Sequence, residues 1–460
     1  MITAATIVAP APGVSADVDH RTLELGPRHF ELSPTGLLVW QLLDGATPLG
    51  ELASDIAEAF DQPVRSIQGD LERLVALLQR LQFVEIVDRG HQPAGPRSSN
   101  ARPRTDAFLR ALASWAIDDT VEVVVPDAPI DTVLSAVRQA KLTGILGVAY
   151  AAGAADLPDE LVDLVEVLEL EHFHLAQRFQ QYEAVLARVL DALDRGGVEV
   201  RVLKGMAHAR LDYRSWQMRS MNDIDLLVPR ARLDDIEGLL SAVGTRRHSP
   251  ELRAGFDGRF GKAVTLVVDP YVEIDVHAQL VSGPYGTWMR TDELFAAGRP
   301  LPVGGSDGVA LSLEDAFVHA CYTAVVADWH VNLRALLDVT VLAAQAPSPE
   351  LVSARCRSWR AGPVVRAATA AAASELPHFA DALARATAAV EIEERPFDRL
   401  VARCEILPGR NYVVREALAT AAQPTAAAKV GYARALLFPD RGVKDPFATR
   451  LRRGWRARRA

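Results

Sequence analysis

The 460-residue chain is poor in cysteine, with only Cys321, Cys356 and Cys404, widely spaced. This number excludes a disulfide scaffold and a structural zinc site built on cysteine pairs. The apolar runs all fall well short of the ~18 residues that a membrane-spanning helix needs. Residues 1–19 lack a basic segment and carry acidic residues, so they do not resemble a signal peptide. We therefore expect a protein of the reducing cytoplasm.

A surplus of positive charge is also missing. The chain has 50 Lys and Arg against 59 Asp and Glu, a net charge of −9. This balance excludes broad, non-specific nucleic-acid binding, so a nucleic acid is expected at most as an acceptor. Hydrophobic residues make up 49% and charged residues 24% of the chain, an ordinary globular composition. At about 100–200 residues per domain, the length predicts two to four domains.

Composition divides the chain into four segments. Residues 1–18, rich in Ala, Pro and Val, are expected to be a flexible lead-in. Residues 19–88 combine short alternating strands with three helices, a pattern typical of a winged-helix-like domain. Residues 89–105 are rich in Gly, Pro, Ser and Arg and are predicted to be a linker. Residues 106–460 are predicted to form one domain with helical regions at both ends.

The predicted strands of the large domain lie in its middle. Val198–Leu203 and Ile224–Val228 have the composition of buried strands, and Met206–Tyr213 between them is predicted to be a helix. Ala263–Val268 and Val272–Val276 are predicted to pair with each other. The predicted fold class is α+β: a small mixed sheet embedded in a largely helical body.

Acidic residues alternate along two of these strands. Asp223 and Asp225 flank Ile224, and a strand period of two places both carboxylates on one side of the sheet. Asp275, with Glu273 two residues before it, lies on another predicted strand. Neighbouring carboxylates repel unless a cation lies between them, and Mg²⁺ prefers oxygen ligands. A solvated strand edge would explain one such pair, but three converging carboxylates predict a two-metal site for displacement at phosphorus.

Other residues near these acids are suited to phosphate binding. Lys204 offers a point charge, and Gly205 permits close approach of the backbone to a phosphate. Arg219 precedes the first acid by four residues and could contact a phosphate or pair with the acids. His277 shares a face with Asp275 and is either a structural histidine or a substrate contact.

These motifs resemble the nucleotidyltransferase (polymerase-β-like) superfamily, and more narrowly the uncharacterised bacterial nucleotidyltransferases with an LKG…R…DIDLLV…DxH pattern. The resemblance covers roughly residues 130–440. It implies Mg²⁺ or Mn²⁺ and a nucleoside triphosphate, with ATP expected, as co-substrate. It also implies that Asp223 and Asp225 bind the metal and the triphosphate, and that Asp275 is the third carboxylate and the general base. The superfamily usually has Gly-Ser or Gly-Gly where this chain has Lys204-Gly205-Met206. The matching pieces are Leu203-Lys204-Gly205, Arg219, Asp223-Ile224-Asp225-Leu226-Leu227-Val228 and Asp275-Val276-His277.

The first domain resembles the PqqD-like peptide-recognition family over residues about 20–88. That family binds leader peptides of ribosomally made, modified peptides. The resemblance implies that an extended peptide adds to a sheet edge, Arg21–Leu25 or His29–Leu32, beside the third helix. Gln82 stands where the family often has glycine. Three arginines of the third helix could face an acidic leader or only solvent: Arg65, Arg73 and Arg80. The motifs are Leu32 to Trp40, Leu42 to Gly45, Leu52, Ile56, Asp70 and Leu81 to Val84.

Together the two resemblances imply an enzyme that moves a nucleoside monophosphate from a nucleoside triphosphate to a hydroxyl or phosphate of an acceptor. The expected acceptor is a ribosomally made peptide held by its leader. Two alternatives stay open: an acceptor that is a small molecule, a protein or a tRNA, and a non-catalytic protein that recruits peptides. A phosphate-binding loop of the GxxxxGK[ST] type does not occur, which disfavours a kinase.

Overall fold

A computed structural model divides the chain into two units, Met1–Ser99 and Asn100–Ala460. The segment predicted as a linker, 89–105, falls largely outside the residues that the structure describes, and its last five residues belong to a helix. The structure describes residues 3, 5–11, 14–17, 22–25, 28–31, 39, 40, 43, 48–60, 64–87, 101–126, 128, 130–155, 162–268, 272–326, 332–391, 395–406, 412–438 and 440.

The first unit consists of short strands around two amphipathic helices. Its described elements are β1 (Ile7–Pro10), β2 (Ser15–Asp17), β3 (Thr22–Leu25), β4 (Arg28–Glu31), α1 (Leu49–Phe60), α2 (Val64–Arg80) and β5 (Val84–Val87). β1 pairs antiparallel with β5, and β2, β3 and β4 form a second antiparallel sheet in that order. Leu71, Val75 and Leu78 turn one face of α2 into the core of the unit.

Two expectations for this unit are corrected by its strand pairing. Residues 1–18 are not simply a flexible lead-in, because β1 and β2 both belong to sheets. Ile7 and Val8 are buried, and ladder hydrogen bonds to β5 satisfy the backbone of this apolar segment. Arg21–Leu25 cannot serve as an open edge, because β3 lies between β2 and β4. The helix expected near residues 35–43 lies mostly outside the described residues.

The second unit opens with helices and then builds a sheet. The helices before the sheet are α3 (Ala101–Trp115), α4 (Ile130–Gln139), α5 (Thr143–Ala151) and α6 (Val162–Arg195). The sheet region contains β6 (Arg201–Val202), α7 (Lys204–Leu211), β7 (Asp223–Leu227), α8 (Leu233–Ser241), β8 (Thr245–Arg247), α9 (Phe256–Phe260), β9 (Ala263–Val268), β10 (Val272–His277), α10 (Gly283–Trp288), β11 (Arg299–Val303) and β12 (Ser306–Ala310).

These strands form a mixed sheet of seven strands within the described residues, in the order β11-β12-β6-β7-β10-β9-β8. β7 and β10 are parallel, as are β12 and β6, and the other neighbours are antiparallel. The α+β fold with a mixed sheet is therefore confirmed, as is the pairing of β9 with β10. Sequence patterns missed β11, an edge strand in which Pro300 and Pro302 are tolerated because an edge can lack N–H donors.

The sheet is anchored by the long helix α6. Leu186, Val189 and Leu193 of this helix lie in one buried cluster with Ile224 and Leu226 of β7. Burial of about five such side chains supplies roughly 10 kcal/mol of apolar stabilisation before entropy is counted. Because β7 is fixed by its apolar residues, the polar positions that alternate with them are held in place too.

The rest of the unit is helical. Its described helices are α11 (Leu313–Val325), α12 (Leu333–Ala344), α13 (Pro349–Trp359), α14 (Gly362–Glu375), α15 (Ala380–Ala386), α16 (Pro396–Ile406), α17 (Tyr412–Ala422) and α18 (Ala426–Leu437). They surround a core that contains Phe317, Tyr322 and Trp359. Among the helices described, none has the length and apolar character needed to cross a membrane.

Gly205 allows α7 to pack closely against the loop before β7. A Cβ at this position would lie 2.8 Å from the Cβ of Met221, so Gly205→Ala should destabilise the protein by about 1–3 kcal/mol. Gly238→Ala is the matched control, because nothing lies within 4 Å of a Cβ there and alanine favours helix by about 0.5–1 kcal/mol. Thermal unfolding should show a lower midpoint for the first variant only. Equal midpoints would contradict this account of the packing.

Candidate active site

The acidic residues meet because of the register between β7 and β10. In this parallel pair Asp223 lies opposite Glu273, and Asp225 lies opposite Asp275. Opposite residues of neighbouring strands project to the same face of the sheet, so Asp223, Asp225 and Asp275 share one face. One ligand atom each of Asp225, Asp275 and His277 lie within 4.8 Å of one another. The sheet therefore gathers three side chains that could hold a metal ion from two adjacent strands.

Asp225 is the most strongly held of the acids. It is 4% exposed, and its Oδ1 contacts Lys204 Nζ at 2.5 Å and His277 Nε2 at 2.7 Å. Burial alone would raise the pKa of Asp225, but Lys204 and His277 hold it well below its usual range. Burial lowers the pKa of His277, so we assign a neutral ring that donates its Nε2–H to Asp225. His277 is fully buried and bonded to Asp225, which favours the structural one of the two roles predicted for it.

Asp223 and Asp275 differ from Asp225 in what neutralises them. Burial, followed by the charge of Asp225, raises the pKa of Asp223 to about 6, and Lys204 opposes this only in part. Asp275 accepts a hydrogen bond from Thr265 Oγ1 at 2.6 Å across the β9–β10 pair. The site thus holds more negative charge than the neighbouring lysine can balance.

Lys204 and Gly205 lie where the chain turns from β6 into α7. Lys204 has a φ of 43°, in the left-handed region that side chains other than glycine rarely adopt. Its ammonium reaches the face of the sheet that carries the three aspartates and pairs with Asp225. Gly205 is buried against Met221, so its lack of a side chain serves helix packing.

Arg219 occupies a different place from the one predicted for it. Its Nε and Nη2 donate to the two oxygens of Asp338, each at 2.8 Å, and its Nη1 donates to Ser220 O at 2.6 Å. Tyr213 Oη also donates to Asp338. Arg219 is 5% exposed, so this buried ion pair, and not a phosphate, occupies the guanidinium. The pair joins α12 to the loop that leads into β7.

Sequence reasoning missed two cations beside the site. Arg334 of α12 donates from Nη1 to Ser220 O at 3.0 Å, three residues before Asp223. Lys141 lies in the turn between α4 and α5, and the charges of Arg334, Arg219 and Asp223 all act on its pKa. Lysine is scarce, with five in the chain, and this scarcity would have flagged Lys141. No motif pointed to Arg334, which the fold brings in from more than 100 residues away.

The donor set fits a hard divalent cation. Magnesium prefers carboxylate oxygens, which Asp223, Asp225 and Asp275 offer from one face of the sheet. His277 belongs to the tight group of three, but its nitrogen is the softer donor and is bonded to Asp225. The incompletely neutralised carboxyl of Asp223 is what a bound cation would balance.

Removing the charge of Asp223 should stabilise the metal-free protein. Its pKa rises from an ordinary 3.8 to about 6 on folding, so stability is lost as pH rises through this window. Asp223→Asn should therefore exceed the wild type by about 1–3 kcal/mol at pH 8, with the gain vanishing near pH 4. Asp307→Asn, which removes an exposed carboxylate on β12, two strands away from β7, is the control and should change little. Denaturant unfolding at both pH values measures this, and a destabilised Asp223→Asn at pH 8 would contradict it.

Two family models match the chain. The model of the family described as "Uncharacterised nucleotidyltransferase" matches residues 126–377, more than half of the chain, and the model of coenzyme PQQ synthesis protein D (PqqD) matches residues 22–84. No curated protein matches.

Solved structures show weaker similarity. The solution structure of the antibiotic-resistance factor ANT(2'')-Ia is 19% identical, covering 39% of this chain and 94% of its own, with a TM-score of 0.28. A nucleotidyltransferase-like protein from Paracoccidioides brasiliensis is 17% identical, covering 44% and 92%, with a TM-score of 0.32. Similarity at this level carries no argument. The family match does: the chain belongs to the uncharacterised nucleotidyltransferase family and carries a PqqD-like domain at its N-terminal end.

Proposed function

We propose that the chain is a magnesium-dependent nucleotidyltransferase that uses a nucleoside triphosphate, with ATP as the expected one, to modify a ribosomally made peptide held by its leader. The observation that carries the proposal is the register of β7 and β10, which sets Asp225 opposite Asp275 with Asp223 on the same face. Family membership supports the reaction type, and the PqqD-like domain supports the peptide.

The reaction would be one displacement at the α-phosphorus. The acceptor oxygen forms a bond to this phosphorus, while the bond to the bridging oxygen breaks and pyrophosphate leaves with the electron pair. The acceptor proton passes to the carboxylate of Asp275, which Thr265 orients through its hydroxyl. Mg²⁺ held by Asp223, Asp225 and Asp275 would supply charge neutralisation.

Lys204 and His277 would prepare the site for this step. His277, fully buried on the same face of the sheet, fixes one oxygen of Asp225, so the carboxylate keeps one orientation. Lys204 neutralises the same oxygen, and its flexible ammonium is a suitable point charge for a phosphate. Gly205 keeps α7 close enough for Lys204 to reach.

The first unit has a groove of a size suited to a peptide. The groove has a volume of about 690 Å³ and lies along the face of α2 opposite to its core residues. Arg73 and Arg80, two of the three arginines that could face an acidic leader, line it, while the side chain of Arg65 lies outside what the structure describes. Its strand side is β5, through Ile86, which is 38% exposed. The remaining lining residues are Gly69, Glu72, Ala76 and Gln79.

This groove supports binding by strand addition. Within the described residues β5 pairs with β1 on one side only, so its other edge offers backbone donors and acceptors. A bound leader would raise the local concentration of the attached acceptor to about the millimolar range.

Loss of a metal-binding carboxylate should abolish turnover. Asp225→Asn and Asp275→Asn should each slow pyrophosphate release from Mg-ATP by at least about 100-fold, since charge balance or proton transfer is lost. Asp307→Asn, which removes an exposed carboxylate on β12, two strands away from β7, should stay within about threefold of the wild type. Full activity in both aspartate variants would exclude the proposed site.

A negative charge at Ile86 should weaken peptide binding without changing the rate of the nucleotidyl-transfer step. Ile86→Glu should raise the Kd of labelled precursor peptides from the gene neighbourhood about tenfold, because strand addition places an apolar contact there. Val64→Glu is the control, since Val64 is 43% exposed and lies outside the groove lining. Fluorescence anisotropy measures both. An identical Kd for the two variants would place the leader elsewhere.

A further inference from the structure

The loop before β7 is held by three side-chain donors, one from the loop itself and two from the helices α6 and α12. Arg219 Nη1 and Arg334 Nη1 both donate to Ser220 O, at 2.6 Å and 3.0 Å. Tyr182 Oη of α6 donates to Asn222 O at 2.8 Å. The loop is thus held up to the residue before Asp223, and the guanidinium of Arg334 lies beside it.

The two arginines on this carbonyl differ in charge balance. Arg219 is neutralised by the two oxygens of Asp338. No carboxylate of the described residues lies within ion-pair distance of Arg334, and its Nε is buried without a hydrogen-bond partner. Burial and the nearby charge of Arg219 lower the pKa of Arg334 to about 10. A half-buried cation of this kind needs an anion, because unpaired buried charges and donors are costly.

A second cation faces the same region. Lys141 stands in a left-handed turn with a φ of 58°, and it is exposed. Gly144, three residues after Lys141, packs against the carbonyl oxygen of Gln217, two residues before Arg219, so the turn that carries Lys141 lies beside the loop before β7. Two cations beside the loop before β7, Arg334 and Lys141, therefore lack a carboxylate partner in the described part of the chain.

We infer that Arg334 and Lys141 bind the β- and γ-phosphates of the nucleoside triphosphate, the role that the sequence suggested for Arg219. This inference rests on the proposed function. A metal-bound triphosphate would balance both kinds of excess charge. The metal ion would balance the negative charge of Asp223, and the phosphate oxygens would pair with Arg334 and Lys141. The planar guanidinium suits two phosphate oxygens, and the lysine suits a third.

Calorimetry on the full chain tests this with Mg²⁺ and a non-hydrolysable ATP analogue. Arg334→Gln and Lys141→Gln should each weaken binding of the analogue about tenfold, and AMP binding should change less than about twofold because AMP lacks both phosphates. Arg334→Lys should recover part of the affinity, which separates lost charge from misfolding. Arg232→Gln is the control, since Arg232 pairs with Asp235 on α8. Thermal unfolding should show each variant folded.

The outcomes separate this inference from the proposed function. If Arg334→Gln and Lys141→Gln bind the analogue as the wild type does while Asp225→Asn loses turnover, Arg334 and Lys141 do not bind the phosphates. The assignment of the protein as an enzyme then still stands. If these variants raise only the KM of the acceptor, the cations bind the acceptor and the inference fails. If the wild type binds no Mg²⁺–nucleotide, both fail together.

Discussion

The site depends on one strand pairing, the parallel register between β7 and β10. This register sets Asp225 against Asp275 and leaves Asp223 on the same face, although the strands are about 50 residues apart in sequence. A slip of one residue would turn Asp275 to the opposite face. The apolar residues that alternate with the acids, Ile224 and Leu226, are fully buried and prevent such a slip. The burial of these two side chains in the core therefore also keeps the three carboxylates on one face of the sheet.

Burying the acidic side chains destabilises the fold, and the surrounding cations offset this destabilisation for some of the acids but not for others. Lys204 and His277 satisfy Asp225, while Asp223 keeps a raised pKa and Arg334 has no carboxylate partner among the residues that the structure describes. Such opposed imbalances are typical of functional sites, where stability is given up for binding. The buried pair of Arg219 and Asp338 is the opposite case: both charges are matched, so it is a structural element.

Local patterns predicted much of this architecture. The alternation of Asp223 and Asp225 around a buried residue, and the paired strands at 263–268 and 272–277, follow from period-two burial. The pairing of distant elements was not predictable in the same way. Arg219 meets Asp338 across 119 positions, and Arg334 reaches Ser220 across 114, contacts that no local motif encodes. β1 was missed because a Pro- and Ala-rich sequence hides a strand that only its partner stabilises.

Under the proposed function, the contact between Lys204 and Asp225 couples the binding of Mg²⁺ to the binding of the nucleoside triphosphate. Lys204 and His277 both contact Oδ1 of Asp225, so a dication bound to this carboxylate would lie near the ammonium of Lys204 and would be repelled by it. Metal binding alone would leave the charge of Lys204 unbalanced, whereas a metal ion bound together with a triphosphate would bring the negative charge that balances the lysine. Each ligand would thus raise the affinity for the other, and free Mg²⁺ by itself would occupy the site only weakly.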